Sequence, residues 1–104
     1  MPDRAWKRSE RRIAALLGGE RIPVSGRQRG DQPDVRHETL SIEVKLRQTN
    51  PAWLIDAMSQ ATAARRDGQL ALVVVHPSGG RHADDLAVMK LRDLAALVER
   101  DGTA

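Results

Sequence analysis

The sequence lacks cysteine entirely, and it also lacks Phe and Tyr, so Trp6 and Trp53 are its only large aromatic residues. Without cysteine the chain can form no disulfide and no thiolate metal site, which excludes zinc fingers and thiol catalysis. A metal ion would have to be bound by oxygen or imidazole. The scarcity of aromatic residues also argues against the base-stacking surface that many single-strand binders use. The core must therefore be mainly aliphatic.

Long hydrophobic runs are missing as well. The longest, such as Ile13–Leu17 and Leu70–Val75, are much shorter than the roughly 20 residues of a membrane span. Neither resembles the hydrophobic core of a signal peptide that precedes a cleavage site. We therefore expect a soluble cytoplasmic protein with no membrane partner. The length of 104 residues predicts a single domain over 1–104.

Positive charge is concentrated in the first half of the chain. Residues 1–47 hold eleven Lys and Arg against seven Asp and Glu, whereas residues 48–104 hold six against seven. A basic half favours a polyanionic partner such as nucleic acid, although a solvated basic surface is the simpler alternative. The residues that we expect to contact DNA are Arg4, Lys7, Arg8, Arg11, Arg12, Arg21, Arg27 and Arg29.

Hydrophobic periodicity and turn residues predict three helices and five strands in the order α, β, β, β, α, β, β, α. Apolar residues recur at helical spacing from Trp6 to Leu17, and Gly18-Gly19 should end this helix. Asn50-Pro51 should cap a second helix that runs to about Arg66. The third helix is expected at 91–99. The five strands are expected at 21–24, 35–38, 40–47, 70–75 and 86–89. The strand at 70–75 reads as one that is covered on both faces.

Strict alternation from Leu40 to Arg47 places Glu43 and Lys45 on the same side of one strand. Asp34 lies nine residues before Glu43, a separation that a hairpin can close. Two carboxylates and an ammonium group would then converge. Carboxylate oxygens are the ligands that Mg²⁺ takes from proteins, and a neighbouring lysine can stabilise charge on a phosphate. Taken alone, Glu43 and Lys45 are more simply explained as a solvated pair on the polar face of a half-exposed strand.

Two polar residues occupy helix positions at which the spacing predicts an apolar side chain. Glu10 lies in the stripe formed by Trp6, Ile13 and Leu17. Gln60 lies on the face predicted to be buried on the second helix. A buried carboxylate or amide needs a partner, so each is either a satisfied core residue or part of a site.

Together these residues resemble the signature of the PD-(D/E)xK nuclease superfamily, carried by Pro33-Asp34 and by Glu43-Val44-Lys45. Glu10, the segment 23–26 and Gln60-Ala61 resemble the archaeal and phage Holliday-junction resolvases in particular. The resemblance covers residues 4 to about 90. It implies an α/β fold with a restriction-endonuclease-like α-β-β-β-α-β core, a mixed central sheet and an added C-terminal strand and helix.

The resemblance also implies a role for each matching residue. Asp34, Glu43, Glu10 and the main-chain carbonyl of Val44 would bind Mg²⁺, for which Mn²⁺ would substitute. Lys45 would assist the attacking water. Ser25 would contact phosphate or a metal-bound water, and Gln60 would orient the site.

The function that we expect is metal-dependent, structure-specific cleavage of branched DNA in a bacterial or phage-infected cell. A homodimer is expected because one domain of this size carries one active site and a junction requires two symmetric cuts. The alternatives are a virus-type replication-repair nuclease and a non-catalytic DNA-binding protein on a nuclease fold. His37, His76 and His82 are scattered in the sequence, and none is expected to bind a metal.

Overall fold

A computed structural model describes residues 4–23 and 32–100, and it is a mixed α/β structure. The order of helices and strands is the predicted one, with a short 3₁₀ helix added at His82–Asp84. The helices are α1 (Ala5–Leu17), α2 (Ala52–Ala64) and α3 (Leu91–Arg100). The strands are β1 (Glu20–Arg21), β2 (Val35–Arg36), β3 (Ser41–Ile42), β4 (Val73–Val75) and β5 (Leu86–Val88).

The strands of the described residues pair in two antiparallel sheets. One sheet has the order β1-β2-β3, and the other consists of β4 and β5. The registers set Arg21 opposite Val35, Val35 opposite Ile42, and Val75 opposite Leu86. A mixed sheet was expected, but each pairing within the described ranges is antiparallel. The strands are also shorter than predicted, most clearly β3, which was expected to span 40–47.

The chain divides into two compact units. The first comprises residues 1–47 and 95–104, and the second comprises residues 48–94. The division falls within α3, so that helix begins in the second unit and ends in the first. Within 4–23 and 32–100, the structure includes no helix with the length and apolar character needed to cross a membrane.

The core of the first unit lies where α1 packs against the three-stranded sheet. Ala14 and Leu17 of α1 and Val35 of β2 are buried, and so is Val98 of α3. Gly18 ends α1 with a φ of 73°, in the left-handed region that favours glycine, which confirms the predicted end of this helix. A Cβ on Gly19 would lie 2.6 Å from the carbonyl oxygen of Arg36. The close approach of β2 to the segment between α1 and β1 therefore requires glycine there.

The second unit departs from the predicted burial. None of the residues of α2, all of which are described, is buried, and Trp53 is 58% exposed. Gln60 is also exposed, so its predicted place on a buried face is wrong. The prediction that β4 is covered on both faces is wrong as well, because Val74 is exposed. The predicted cap at Asn50 is also wrong, since α2 begins at Ala52 with Pro51 as its N-cap.

Candidate carboxylate site

Asp34 lies immediately before β2, and both neighbouring chain segments hold it. Its N–H donates a hydrogen bond of 2.9 Å to the carbonyl oxygen of Ile42, and its own carbonyl accepts one of 3.0 Å from the N–H of Ile22. The side-chain atom Oδ2 accepts a hydrogen bond of 2.6 Å from the N–H of Val44. Asp34 is only 3% exposed. Its carboxylate is therefore fixed by main-chain contacts in the interior of the first unit.

The hydrogen bonds around Asp34 also explain why β3 is short. The register pairs Val35 with Ile42, whereas the N–H of Asp34 donates to the same residue, Ile42. Two residues on one strand thus face one residue on the other, which is the pattern of a β-bulge. Two residues further along the chain, the N–H of Val44 donates its hydrogen bond to the carboxylate of Asp34 and not to a main-chain carbonyl. The bulge ends the regular ladder and directs a carboxylate toward the segment 43–45.

Exposure alternates along this segment as the sequence predicts. Ser41, Glu43 and Lys45 are exposed, whereas Ile42 and Val44 are half-buried. Glu43 and Lys45 therefore flank the residue whose N–H binds Asp34. The alternation ends after Lys45, because Leu46 is exposed although the predicted pattern turns it inward.

Glu10 is buried at 4% exposure, which confirms that its place in the apolar stripe of α1 turns it inward. Its Oε1 accepts a hydrogen bond of 2.8 Å from Nε of Arg21. The guanidinium of Arg21 also lies 5.6 Å from the centre of the Trp6 ring. Nζ of Lys7 lies 5.5 Å from the same ring centre. Arg21, expected to contact DNA, thus has a partner within the first unit. The ion pair offsets part of the cost of burying the Glu10 carboxylate.

The three predicted carboxylate ligands do not meet at coordinating distance. Within the described ranges, one group of three potential ligands has its donor atoms all within 4.8 Å of one another, and that group is His76, His82 and Asp85. Glu10, Asp34 and Glu43, which all lie in those ranges, form no such group. Their donor set of carboxylate oxygens suits Mg²⁺, but an ion shared by all three would require shorter distances than this structure has.

The remaining predicted site residues have different positions. Ser25, Arg27 and Arg29 lie outside the described residues. Gln60 is exposed on α2 of the second unit. On α1, the predicted DNA-contacting residues divide into exposed and half-buried ones. Arg4, Arg8, Arg11 and Arg12 are exposed, and Lys7 is half-buried.

A group that the sequence reasoning missed lies in the second unit. Nδ1 of His76 lies 2.6 Å from Oδ1 of Asp85, and Nδ1 of His82 lies 3.3 Å from Oδ2 of the same carboxylate. A signal was present in the sequence, because His76 follows one predicted strand and Asp85 precedes the next. Residues at those two places in a hairpin lie opposite each other.

Comparison of the chain with models of protein families, with curated proteins and with solved structures finds no match.

Proposed function

We propose that the chain is a Mg²⁺-dependent DNA endonuclease that hydrolyses phosphodiester bonds with Asp34, Glu43 and Lys45. One observation carries the proposal: the hydrogen bond of 2.6 Å between Asp34 and the N–H of Val44. It joins the two halves of the motif, Pro33-Asp34 and Glu43-Val44-Lys45, which are separated by a hairpin in the sequence. A buried aspartate that binds the main chain between an exposed glutamate and an exposed lysine supports a site that combines oxygen ligands with a cation.

The donor set supports a hard divalent cation in preference to a softer one. Carboxylate oxygens of Asp34 and Glu43, with the carbonyl of Val44, would hold Mg²⁺, and Mn²⁺ would substitute for it. A bound ion of this kind supplies Lewis-acid activation of water and phosphate. The ammonium group of Lys45 would stabilise the negative charge that develops on the phosphate during attack by water. Because Glu10 does not meet Asp34 and Glu43 at coordinating distance, it would serve the metal through a water molecule.

We propose that the described helices and strands form a restriction-endonuclease-like core followed by a C-terminal strand and helix. The order α-β-β-β-α-β from α1 to β4 supports this. The role of Gln60 in orienting the site depends on the family resemblance alone, because its side chain is exposed.

DNA is the proposed partner, and the basic surface of α1 is the proposed contact. Arg4, Arg8, Arg11 and Arg12 are exposed on a helix whose first turn contains no acidic residue. Such a surface binds phosphates and releases counterions. We propose branched DNA as the substrate and a homodimer in the cytoplasm as the working form. The alternatives remain a virus-type replication-repair nuclease and a non-catalytic DNA-binding protein.

The decisive experiment compares DNA structures of the same sequence. The full chain is incubated with Mg²⁺ and four-way, Y-shaped, nicked and linear DNA, and the products are mapped on denaturing gels. Paired symmetric cuts in the four-way junction support the junction-resolving nuclease, and cuts confined to another structure support the replication-repair alternative. Binding without cleavage in both Mg²⁺ and Mn²⁺ would favour the non-catalytic alternative.

A further inference from the structure

We propose that His76, His82 and Asp85 form a binding site for a divalent transition-metal ion such as Zn²⁺, separate from the carboxylate site. One donor atom from each of the three residues lies within 4.8 Å of the other two. All three belong to the unit formed by residues 48–94, whereas Asp34 and Glu43 belong to the other unit. The inference is thus independent of the proposed nuclease.

The hairpin of β4 and β5 brings the first two ligands together. The register sets Val75 opposite Leu86, so His76 and Asp85 are the next facing pair at the end of the ladder. The chain leaves β4 through a turn in which Gly79 has a φ of 80°, a conformation that favours glycine. This pairing explains why two residues nine positions apart share a contact of 2.6 Å.

The 3₁₀ helix at His82–Asp84 supplies the third ligand. The N–H of Asp85 donates a hydrogen bond of 3.1 Å to the carbonyl oxygen of His82, which closes the last turn of this helix. That turn returns His82 to the Asp85 side chain. The rings of His82 and His76 stack with their centres 4.0 Å apart and an angle of 21° between their planes.

The carboxylate of Asp85 brings one nitrogen of each histidine ring to the same side chain. Both histidines present Nδ1 to Asp85, and each approaches a different carboxylate oxygen, at 2.6 and 3.3 Å. In a tetrahedral site with zinc-ligand distances of about 2.0–2.1 Å, ligand atoms lie roughly 3.3–3.4 Å apart. The 3.3 Å separation between His82 and Asp85 is close to this value, whereas the 2.6 Å contact between His76 and Asp85 is a hydrogen bond that an ion would have to lengthen. The side chain of Asp85 is mostly buried, which fixes one ligand in advance.

The ligand types determine which ion should bind. Imidazole nitrogen suits Zn²⁺, Co²⁺ and Ni²⁺, whereas Mg²⁺ takes oxygen ligands almost exclusively. Three protein ligands leave a fourth position for water, as in zinc sites that remain open. We therefore expect Zn²⁺ to bind in the presence of excess Mg²⁺.

The test is titration of the tag-free full chain with Zn²⁺ by calorimetry, in buffer that contains excess Mg²⁺. One ion should bind to each chain, and His76→Gln, His82→Gln or Asp85→Asn should each weaken binding by roughly tenfold or more. Asp84→Asn is the matched control, because Asp84 is an exposed neighbour on the same 3₁₀ helix. His37→Gln tests the remaining histidine of the chain. Both controls should bind Zn²⁺ as the unmodified chain does.

His82→Gln is the most informative variant, because this side chain is 84% exposed and its replacement should leave the fold intact. Circular dichroism of each variant checks that it does. The proposal is overturned if the unmodified chain binds no Zn²⁺ at tens of micromolar, or if His82→Gln and His76→Gln bind it unchanged. Asp34→Asn should retain Zn²⁺ binding. Loss of Zn²⁺ binding in Asp34→Asn but not in the histidine variants would refute this site without refuting the nuclease.

Discussion

The side chain of Asp34 accepts a hydrogen bond from the main-chain N–H of Val44 at 2.6 Å, across the hairpin that joins β2 to β3. This bond holds a buried carboxylate beside the exposed residues Glu43 and Lys45. It also sets a geometric requirement, because Asp34 must accept a main-chain hydrogen bond and remain available to a cation. Asparagine can satisfy the first requirement without the second, which allows the two roles to be separated.

Asp34→Asn should abolish DNA cleavage and leave DNA binding unchanged or tighter. The amide oxygen of asparagine can accept the Val44 hydrogen bond, but the substitution removes a charged metal ligand and its repulsion of phosphate. Glu43→Gln should have the same effect. Cleavage is measured on Mg²⁺-loaded protein, and binding is measured in Ca²⁺ or without metal. The matched control is Glu38→Gln, at an exposed acid between β2 and β3. Cleavage by Asp34→Asn within a few-fold of the unmodified chain would remove Asp34 from the site.

Glu10→Ala should destabilise the first unit by roughly 2–3 kcal/mol, because it leaves the largely buried guanidinium of Arg21 without its carboxylate. Glu10→Gln should cost less, since its amide oxygen can still accept the hydrogen bond. Urea denaturation followed by circular dichroism measures both. Glu20→Gln, at an exposed acid on β1, is the control and should be nearly neutral. If Glu10→Ala were equally neutral, the ion pair with Arg21 would not contribute to stability.

The basic surface of α1 should govern the salt dependence of DNA binding. Replacing Lys7, Arg8 and Arg11 with Ala should weaken binding to any DNA and flatten the plot of log affinity against log salt, by about 0.9 for each phosphate that the variant no longer neutralises. Fluorescence anisotropy over a range of NaCl concentrations measures the slope. A matched triple replacement of the exposed Arg66, Arg81 and Arg92 in the second unit should leave the slope unchanged. If both triple variants showed the same salt dependence, DNA binding would depend on the overall charge of the chain and not on the surface of α1.

The proposed homodimer should depend on the exposed apolar residues of α2. Trp53 and Ile55 are both exposed, and a groove of about 560 Å³ between α2 and β5 is lined by Leu54 and Met58 among others. Exposed apolar surface of this kind marks many protein interfaces. Trp53→Lys should therefore shift a dimer to monomer in sedimentation experiments. Leu16→Lys, at an exposed leucine of α1, is the control. A shift with Leu16→Lys alone would move the interface to α1.

Local pattern was enough to predict the first unit in outline. The burial of Glu10 follows from helical periodicity, because a residue three or four positions from apolar neighbours must share their face. The approach of Asp34 to segment 43–45 follows from the short hairpin. The bulge that shortens β3 could not be predicted, because it depends on which acceptor the N–H of Val44 finds in the folded chain.

The errors in the second unit have different physical causes. The apolar residues of α2 itself are distributed on several sides of the helix. The spacing of Trp53 and Gln60 therefore did not define one buried face. The group of His76, His82 and Asp85 was missed because only the four-residue spacing of a helical metal site was considered. Its members are brought together by strand register and by the 3₁₀ helix. The number of residues between two positions in a hairpin does not determine the distance between them until the register of the strands is known.

Mn²⁺ should raise the melting temperature of the chain at neutral pH through the carboxylate site. A cation that binds Asp34 and Glu43 only in the folded chain stabilises it by mass action, by about 2.7 kcal/mol at a concentration 100 times its Kd. The measurement is best made in the His76→Gln, His82→Gln double variant, so that the second proposed metal site does not contribute. Adding Asp34→Asn or Glu43→Gln to that variant should remove most of the Mn²⁺ effect, whereas adding Glu38→Gln should not. A melting curve that is indifferent to Mn²⁺ in the double variant, or an equal rise with Asp34→Asn added, would show that Asp34 and Glu43 do not bind the cation.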